Sequence, residues 1–122
     1  MRPHSQGGVV GFGKLQELSG RPTAIICSND MTAIGVLRAA YLQDLRVPQD
    51  LSVIGLDDID FAEFTLPPLT TIRLSRSDLA KAAFEALRQH SDSSGKMGLQ
   101  REFLVSTSLV VRGSTAPPPA NA

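Results

Sequence analysis

The stretch that decides the fold is residues 23–58, TAIICSNDMTAIGVLRAAYLQDLRVPQDLSVIGLDD. Two short apolar runs within it, 23–27 and 51–56, carry β-branched residues and predict buried strands. Residues 31–45 lie between them and predict a helix. Its expected apolar face consists of Ile34, Leu37, Tyr41, Leu42 and Leu45. Strand, helix and strand make a βαβ unit with a right-handed crossover, so the sequence predicts an α/β fold with a parallel sheet.

Upstream of this unit, glycines interrupt a helical pattern. Apolar residues recur every three positions over 8–18, which predicts a weak amphipathic helix after a loose, polar start at 1–7. The spacing of Gly8, Gly13 and Lys14 matches the beginning of a phosphate-binding loop, but that loop needs a preceding strand and a Ser or Thr after the lysine. Both are missing from this sequence. We therefore expect a glycine-rich helix whose bare face packs closely against a neighbour.

Downstream of the unit, the pattern alternates again between extended and helical segments. We expect a loop or short helix over 61–66 and a third extended segment over 69–74. A capping box at 75–78 opens an amphipathic helix that ends near Gln89. Its apolar stripe consists of Leu79, Ala82, Ala83, Ala86 and Leu87.

The last part of the chain is less regular. A polar turn is expected at 91–98, followed by two short strands at about 101–105 and 109–112. Residues 116–122 are rich in Pro and Ala and are expected to be disordered. The chain thus divides into a loose start, one partial domain over 8–115 and a tail.

Composition and charge exclude several classes of protein. Twelve Lys and Arg balance twelve Asp and Glu, so the chain is neither a strongly basic nucleic-acid module nor a polybasic membrane binder. A single cysteine excludes an intrachain disulfide and fits a reducing compartment. No apolar run approaches the roughly 20 residues of a membrane span, and the polar start is unlike a secretory signal. These features predict a cytoplasmic protein without membrane contact.

The candidates for ligand binding stand where the two strands end. In open parallel sheets, ligands bind in the crevice beyond the carboxyl ends of the strands. Asn29 and Asp30 follow the first strand and Asp57 and Asp58 follow the second, so both pairs are expected at one edge. Asp57 is the acidic residue to which we assign function, whereas Asp58 and Asp60 are expected to form a polar turn. Asn29 is either a ligand contact or the N-cap of the following helix, and the sequence leaves both open.

The remaining reactive residues predict no chemistry. The acidic run at 57–63 fits no EF-hand spacing, and no nucleophile and base can be paired, so we predict neither a metal site, nor a cofactor, nor an enzyme. Cys27 lies in an apolar run without a CxxC partner and is expected to be a buried, inert thiol. Three large apolar side chains, Phe61, Phe64 and Leu66, belong either to the core or to a subunit interface.

Four stretches together resemble one family. They are RPTAIICSND at 21–30, RVPQDLSVIGLDD at 46–58, PPLTTIR at 67–73 and LVVRGST at 109–115. In this order and at these separations they are similar to the lactose/galactose-repressor family of bacterial transcription regulators, over about residues 8–117. The resemblance implies a type I periplasmic-binding-protein-like fold of two α/β subdomains with a small effector, commonly a sugar, between them. It also implies homodimers, with operator DNA read only by an N-terminal helix-turn-helix domain.

The resemblance assigns roles to particular positions. Asn29 and Asp57 match the family positions that contact the effector's polar groups. The helix from Met31 and the loop at 59–66 match the surfaces through which such regulators dimerise. For the three large apolar side chains of that loop, the resemblance therefore favours a subunit interface over the core. The interface residues so implied are Met31, Ile34, Ile59, Phe61, Phe64 and Leu66. Leu56 departs from the aromatic residue that is usual in the family, so packing beside Asp57 is expected to differ.

Three functions follow as hypotheses. Because the family segments that precede Gly8 are not in this sequence, the first is a truncated C-terminal part of the effector-binding domain of a sugar-responsive repressor. The alternative is a lobe of a periplasmic-type sugar-binding transport protein, which shares the fold. The motifs at 67–72 and 110–114 favour the regulator. An enzyme built on the acidic patch is the third, and it lacks a nucleophile–base pair.

Overall fold

A computed structural model describes residues 4–92 and 102–120 of the chain. Three α-helices, one 3-10 helix and four strands follow one another in these residues. In chain order they are α1 (His4–Gln16), β1 (Ala24–Ile26), α2 (Asp30–Leu42), β2 (Ser52–Leu56), the 3-10 helix (Asp60–Phe64), β3 (Thr70–Leu74), α3 (Arg76–Asp92) and β4 (Thr107–Val110).

The predicted βαβ unit is confirmed. β1 pairs with β2 in parallel, with Ala24 opposite Ser52 and Ile26 opposite Ile54. β2 pairs in the same way with β3, so the third predicted extended segment is also a parallel strand. The sheet has the order β1-β2-β3-β4. Three parallel strands in chain order place the carboxyl ends of β1, β2 and β3 side by side at one edge.

The apolar face predicted for α2 is partly wrong. Leu37 is buried, but Tyr41 and Leu42 are exposed. The buried side chains of the helix are mostly small, and they are Ala33, Val36, Leu37, Ala39 and Ala40, together with Gly35. Small side chains are favoured here because α2 is packed on two sides, against α1 and against β2, and each neighbour needs to come close.

The close helix packing expected from the glycines of α1 is confirmed at one of them. A Cβ atom at Gly8 would collide with the carbonyl oxygen of Thr32 in α2, and one at Gly35 would collide with the carbonyl oxygen of Ser5 in α1. Phe12 of α1 is completely buried in the core beside this contact. The helix begins at His4, four residues before the predicted start, so the loose start is wrong for residues 4–7. Residues 1–3 lie outside the described part.

The later elements differ from the prediction in three places. The strand expected at about 101–105 is absent from residues 102–105, and residue 101 lies outside the described part. Phe103 and Leu104 are exposed there. The strand does not form because a β-prone run becomes a strand only where a neighbouring strand supplies hydrogen bonds. α3 extends beyond the predicted end to Asp92. At its start, the predicted cap is present, since Ser75 Oγ accepts a hydrogen bond from the Asp78 amide (3.2 Å). Most of the turn expected at 91–98 lies outside the described residues.

The closing motif at 109–115 is joined to the sheet by side-chain hydrogen bonds. Ser114 Oγ donates to the carbonyl of Val53 (2.6 Å) and accepts from the amide of Thr70 (2.8 Å), so it bridges β2 and β3. The amide and carbonyl of Ala116 both bond to Ser52 Oγ at 3.0 Å. The disordered tail predicted from Ala116 is therefore wrong at its first residue, because the buried serine hydroxyl gives that backbone a partner.

The chain forms two units. One comprises the residues up to Arg73 and those from Leu109 onward, and the other comprises Leu74–Ser108. The core lies in the first unit, with Phe12, Leu37, Leu51, Val53 and Leu69 as its large members. In the second unit, Leu79 and Leu87 of the predicted α3 stripe are exposed. No helix of the described residues is both long enough and apolar enough to pass through a membrane.

Candidate functional site

The two predicted ligand contacts follow neighbouring parallel strands, as the sequence implies. Asn29 lies three residues after the end of β1, and Asp57 directly follows β2. The Asn29 side chain accepts a hydrogen bond from the amide of Thr32 (2.8 Å), and its extended backbone makes it the N-cap of α2. The N-cap alternative is therefore confirmed. The cap uses only Oδ1, so the amide nitrogen of Asn29 has no hydrogen-bond partner among the described residues.

Backbone hydrogen bonds fix the loop that carries Asp57. The amide of Asp57 donates to the carbonyl of Ile72 in β3 (2.9 Å). The amide of Asp58 donates a longer bond to Thr71 Oγ1 (3.4 Å), and the amide of Ile59 donates to Asp30 Oδ2 (2.9 Å). Three successive amides are thus satisfied by the protein itself. The carboxylate of Asp57 is exposed and has no hydrogen-bond or ion-pair partner within residues 4–92 and 102–120.

This loop has an unusual backbone. Asp57 has φ 119° and Asp58 has φ 53°, values that residues other than glycine seldom adopt. Such conformations cost of order 1–3 kcal/mol each and persist only where the surroundings enforce them. Here the enforcing contacts are the three amide hydrogen bonds of the loop. The strained backbone and the unpartnered carboxylate therefore coincide at the residue that the sequence identified.

A buried carboxyl group joins the two strand-end loops. Asp30 is fully buried, accepts the Ile59 amide through Oδ2, and accepts the hydroxyl of Thr71 through Oδ1 (2.5 Å). It reaches this place because Gly55 in β2 has no side chain, and a Cβ there would collide with Asp30 Oδ1. The sequence placed Asp30 among the polar residues at the strand end. Its structural role depends on tertiary contacts with residues 25 to 41 positions away.

Asp58 does not form the simple polar turn that the sequence predicts. Its carboxylate accepts hydrogen bonds from Arg73 Nε (2.5 Å) and from the terminal guanidinium nitrogen of Arg112 (2.7 Å). Burial raises the pKa of Asp58, but the two guanidinium groups outweigh this effect, and the pKa lies below its ordinary value. Both arginines lie within the motifs at 67–73 and 109–115, but neither was assigned a role, because no local pattern links a loop residue to partners 15 and 54 positions away.

Cys27 is the buried, inert thiol that the sequence predicts. It is buried at the end of β1. Burial, with a smaller contribution from the nearby Asp30 charge, raises its pKa to about 11, so the reactive thiolate is rare at neutral pH. Within the described residues, no three His, Cys, Asp or Glu side chains stand together as metal ligands do.

The residues expected at an interface are mostly exposed. Phe61, Phe64 and Leu66 expose 71%, 74% and 93% of their surface, which excludes the core as their location. Met31 is also exposed, whereas Ile34 is half-buried and Ile59 packs partly against the core. Leu66 and Tyr41 line an open cavity of about 420 Å³ with the turn at 44–49.

Comparison with known proteins identifies the family. Residues 3–115 match the family described as periplasmic binding protein-like domain, and the chain belongs to that family. It is similar to a LacI-type transcription regulator from Bifidobacterium animalis subsp. lactis, with 34% identity and a TM-score of 0.76 over 92% of this chain and 39% of that one. A sugar-binding LacI-family regulator from Escherichia coli, complexed with phosphate, gives 30% identity and a TM-score of 0.75 over 93% and 40%. Within the family, the chain is a relative of the lactose/galactose repressors, as its four motifs predict.

The curated relatives are considerably longer than this chain. The ribose operon repressor of Haemophilus influenzae is 46% identical over 84 residues, which are 69% of this chain and 25% of that protein. The chain thus spans about a quarter of the length of this relative.

Proposed function

We propose that this chain is part of the effector-binding and dimerisation domain of a sugar-responsive transcriptional repressor. The observation that carries the proposal is the strand-end site, where the open carboxylate of Asp57 is held on a fixed backbone at the same sheet edge as Asn29. A carboxylate accepts hydrogen bonds from hydroxyl groups, and the free amide nitrogen of Asn29 donates them. This pairing suits the neighbouring hydroxyls of a sugar.

The relatives support a regulator rather than a transport protein. The names of the similar proteins describe a ribose operon repressor and a sugar-binding transcriptional regulator. A transport protein would share the fold, but the motifs at 67–72 and 110–114 favour a regulator. In this proposal the effector shifts the population of the repressor between states that can and cannot hold operator DNA.

Effector binding is tested with the product of the complete gene and a panel of D-ribose, D-glucose and sucrose as probes. We expect isothermal titration calorimetry to detect binding of at least one sugar, and we expect Asp57→Ala to abolish it. The matched control is Asp60→Ala, which removes another exposed carboxylate at the start of the neighbouring 3-10 helix and should leave affinity unchanged. Sugar affinity unaltered by Asp57→Ala would refute the assignment of this residue.

Dimerisation is proposed through the exposed apolar surface around Phe61, Phe64 and Leu66, together with Met31, Ile34 and Ile59. Burying apolar side chains of this size stabilises an association by about 25 cal/mol per Å² removed from water. Light scattering after size-exclusion chromatography should show a dimer that Leu66→Lys converts to a monomer. Leu18→Lys changes an exposed leucine in the turn that follows α1 and should leave the dimer intact. A stable monomeric wild type would contradict this interface.

We expect these 122 residues by themselves to show no sequence-specific binding of operator DNA. Their formal charge is zero and no basic surface is predicted from the sequence, whereas DNA-reading domains neutralise phosphates with clustered Lys and Arg. An electrophoretic mobility shift with candidate operators is the direct measurement. A specific complex would contradict the proposal that operator contact belongs to another domain.

A further inference from the structure

Asp58 connects three separate parts of the chain. It follows Asp57 directly, and it receives hydrogen bonds from Arg73 at 2.5 Å and from Arg112 at 2.7 Å. Its side chain is nearly buried, with 9% of its surface exposed, and that of Arg112 exposes only 17%. Arg112 also donates to the carbonyl of Leu69 at the start of β3 (2.8 Å). We call this group of Asp58, Arg73 and Arg112 the clamp.

The two arginines stand close to the places where the chain passes between its two units. The chain leaves the first unit after Arg73 and enters it again at Leu109. Arg73 is therefore the last residue before the chain leaves, and Arg112 is the fourth residue after it comes back. The Asp58 carboxylate accepts a hydrogen bond from each of these two segments, and both bonds lie within the first unit.

We propose that Asp58 is a positioning residue that couples the effector loop to the two crossing segments of the chain. This inference rests on the proposed function, since it concerns the loop that presents Asp57. Asp57 and Asp58 are consecutive residues of one loop, and both have positive φ angles, so we expect a rearrangement of the loop around Asp57 to displace the Asp58 carboxylate as well. A sugar hydrogen-bonded to Asp57 would therefore change the geometry of the hydrogen bonds that Asp58 accepts from Arg73 and Arg112.

The clamp differs from an ordinary surface ion pair. The pair of Arg46 and Asp50 has similar distances, with 2.7 Å between guanidinium and carboxylate, but Arg46 is 72% exposed and the two residues are four positions apart. Local exposed pairs of that kind contribute little and transmit nothing beyond their own turn. In the clamp, a nearly buried carboxylate joins residues 15 and 54 positions away. Arg73 is itself 57% exposed, so the bond from Arg112 is the one that the exclusion of water strengthens most. Arg46 and Asp50 thus supply a matched control.

The test measures native-state amide exchange by NMR on the full chain without any ligand. Two amides report: that of Asp57, bonded to Ile72, and that of Cys27 after β1, bonded to Ile54 in β2, where neither partner lies in a segment that carries a clamp residue. We expect Asp58→Asn and Arg112→Lys each to accelerate exchange at Asp57 by roughly tenfold, the effect of losing one charged hydrogen bond, while exchange at Cys27 is unchanged. Asp50→Asn should alter neither amide.

The outcomes separate coupling from mere stability. Acceleration at Asp57 caused by Arg112→Lys supports the coupling, because that substitution lies 55 positions from the reporting amide. Unchanged exchange at Asp57, or equal acceleration at Asp57 and Cys27, overturns it. If Asp58→Asn does not fold, Arg112→Lys and Arg73→Gln carry the same comparison.

A second measurement relates the clamp to the effector. Where calorimetry detects D-ribose, D-glucose or sucrose, exchange with and without that sugar should show added protection at residues 109–113 in the wild type, which Asp58→Asn removes. Protection that persists in Asp58→Asn overturns the coupling. Loss of the effector assignment is recognised separately, because it follows from unaltered sugar affinity in Asp57→Ala while the ligand-free exchange result stands.

Discussion

Replacement of Asp30 by asparagine tests the buried contact on which the strand-end site depends. The carboxyl group of Asp30 is completely buried and accepts two hydrogen bonds, one from the Ile59 amide and one from the hydroxyl of Thr71. Asparagine has the same shape but only one accepting oxygen, so its NH₂ group would face either the Ile59 amide, which can only donate, or the Thr71 hydroxyl, which would have to give up donating to Asp30. One buried N–H or O–H group therefore loses its acceptor in Asp30→Asn.

The magnitude follows from that count. A buried donor without a partner costs about 1–3 kcal/mol, so we expect Asp30→Asn to lower the free energy of unfolding by about 2 kcal/mol. At roughly 4 °C per kcal/mol for a chain of this size, the melting temperature should fall by about 8 °C. Asp30→Ala removes both acceptors and leaves a cavity, and should cost about 3–5 kcal/mol.

Urea unfolding followed by circular dichroism measures these differences. The matched control is Asp44→Asn, because Asp44 is exposed and has φ 55°, a conformation that asparagine accepts readily. This control should stay within about 0.5 kcal/mol of the wild type. Gly55→Ala provides an independent perturbation, since its methyl group would displace the Asp30 carboxyl. If Asp30→Asn unfolds like the Asp44 control, the buried carboxyl does not hold the loop and the reasoning fails.

Three further predictions concern other parts of the first unit. Gly8→Ala should destabilise the protein by its clash with α2, whereas Gly11→Ala, which meets no atom within 4 Å, should stabilise it by about 0.5–1 kcal/mol; opposite signs in thermal unfolding check this. The hydrogen bond from Arg46 lowers the pKa of Asp50 to about 2. The stability that this pair contributes is therefore present above about pH 4 and is lost as the pH falls toward 2. NMR titration should find the lowered pKa, and Arg46→Gln should return the pKa of Asp50 toward 3.8. Cys27, with a pKa of about 11, should not react with a thiol reagent at neutral pH until the protein is unfolded, and rapid modification of the native protein would contradict its burial.

Local sequence patterns predicted the architecture of the first unit because each pattern acts within one element. The apolar runs at 23–27 and 51–56 became β1 and β2, in parallel, and Asn29 became the N-cap of α2. A strand-end position identified Asp57 as a candidate, since the end of a buried strand is visible in the sequence. The exposed aromatic loop was left between core and interface by composition alone, and solvent exposure excluded the core.

The sequence by itself determined the order of strands and helices as far as α3, the family and the sheet edge that carries the candidate site. Only the tertiary structure decided which acidic residue does what: Asp30 is a buried acceptor, Asp57 is open, and Asp58 joins Arg73 and Arg112. All three stand in similar polar runs at strand ends. Their roles differ because a carboxylate's energy depends on burial and on donors brought from distant positions, and those distances in space are absent from any local pattern.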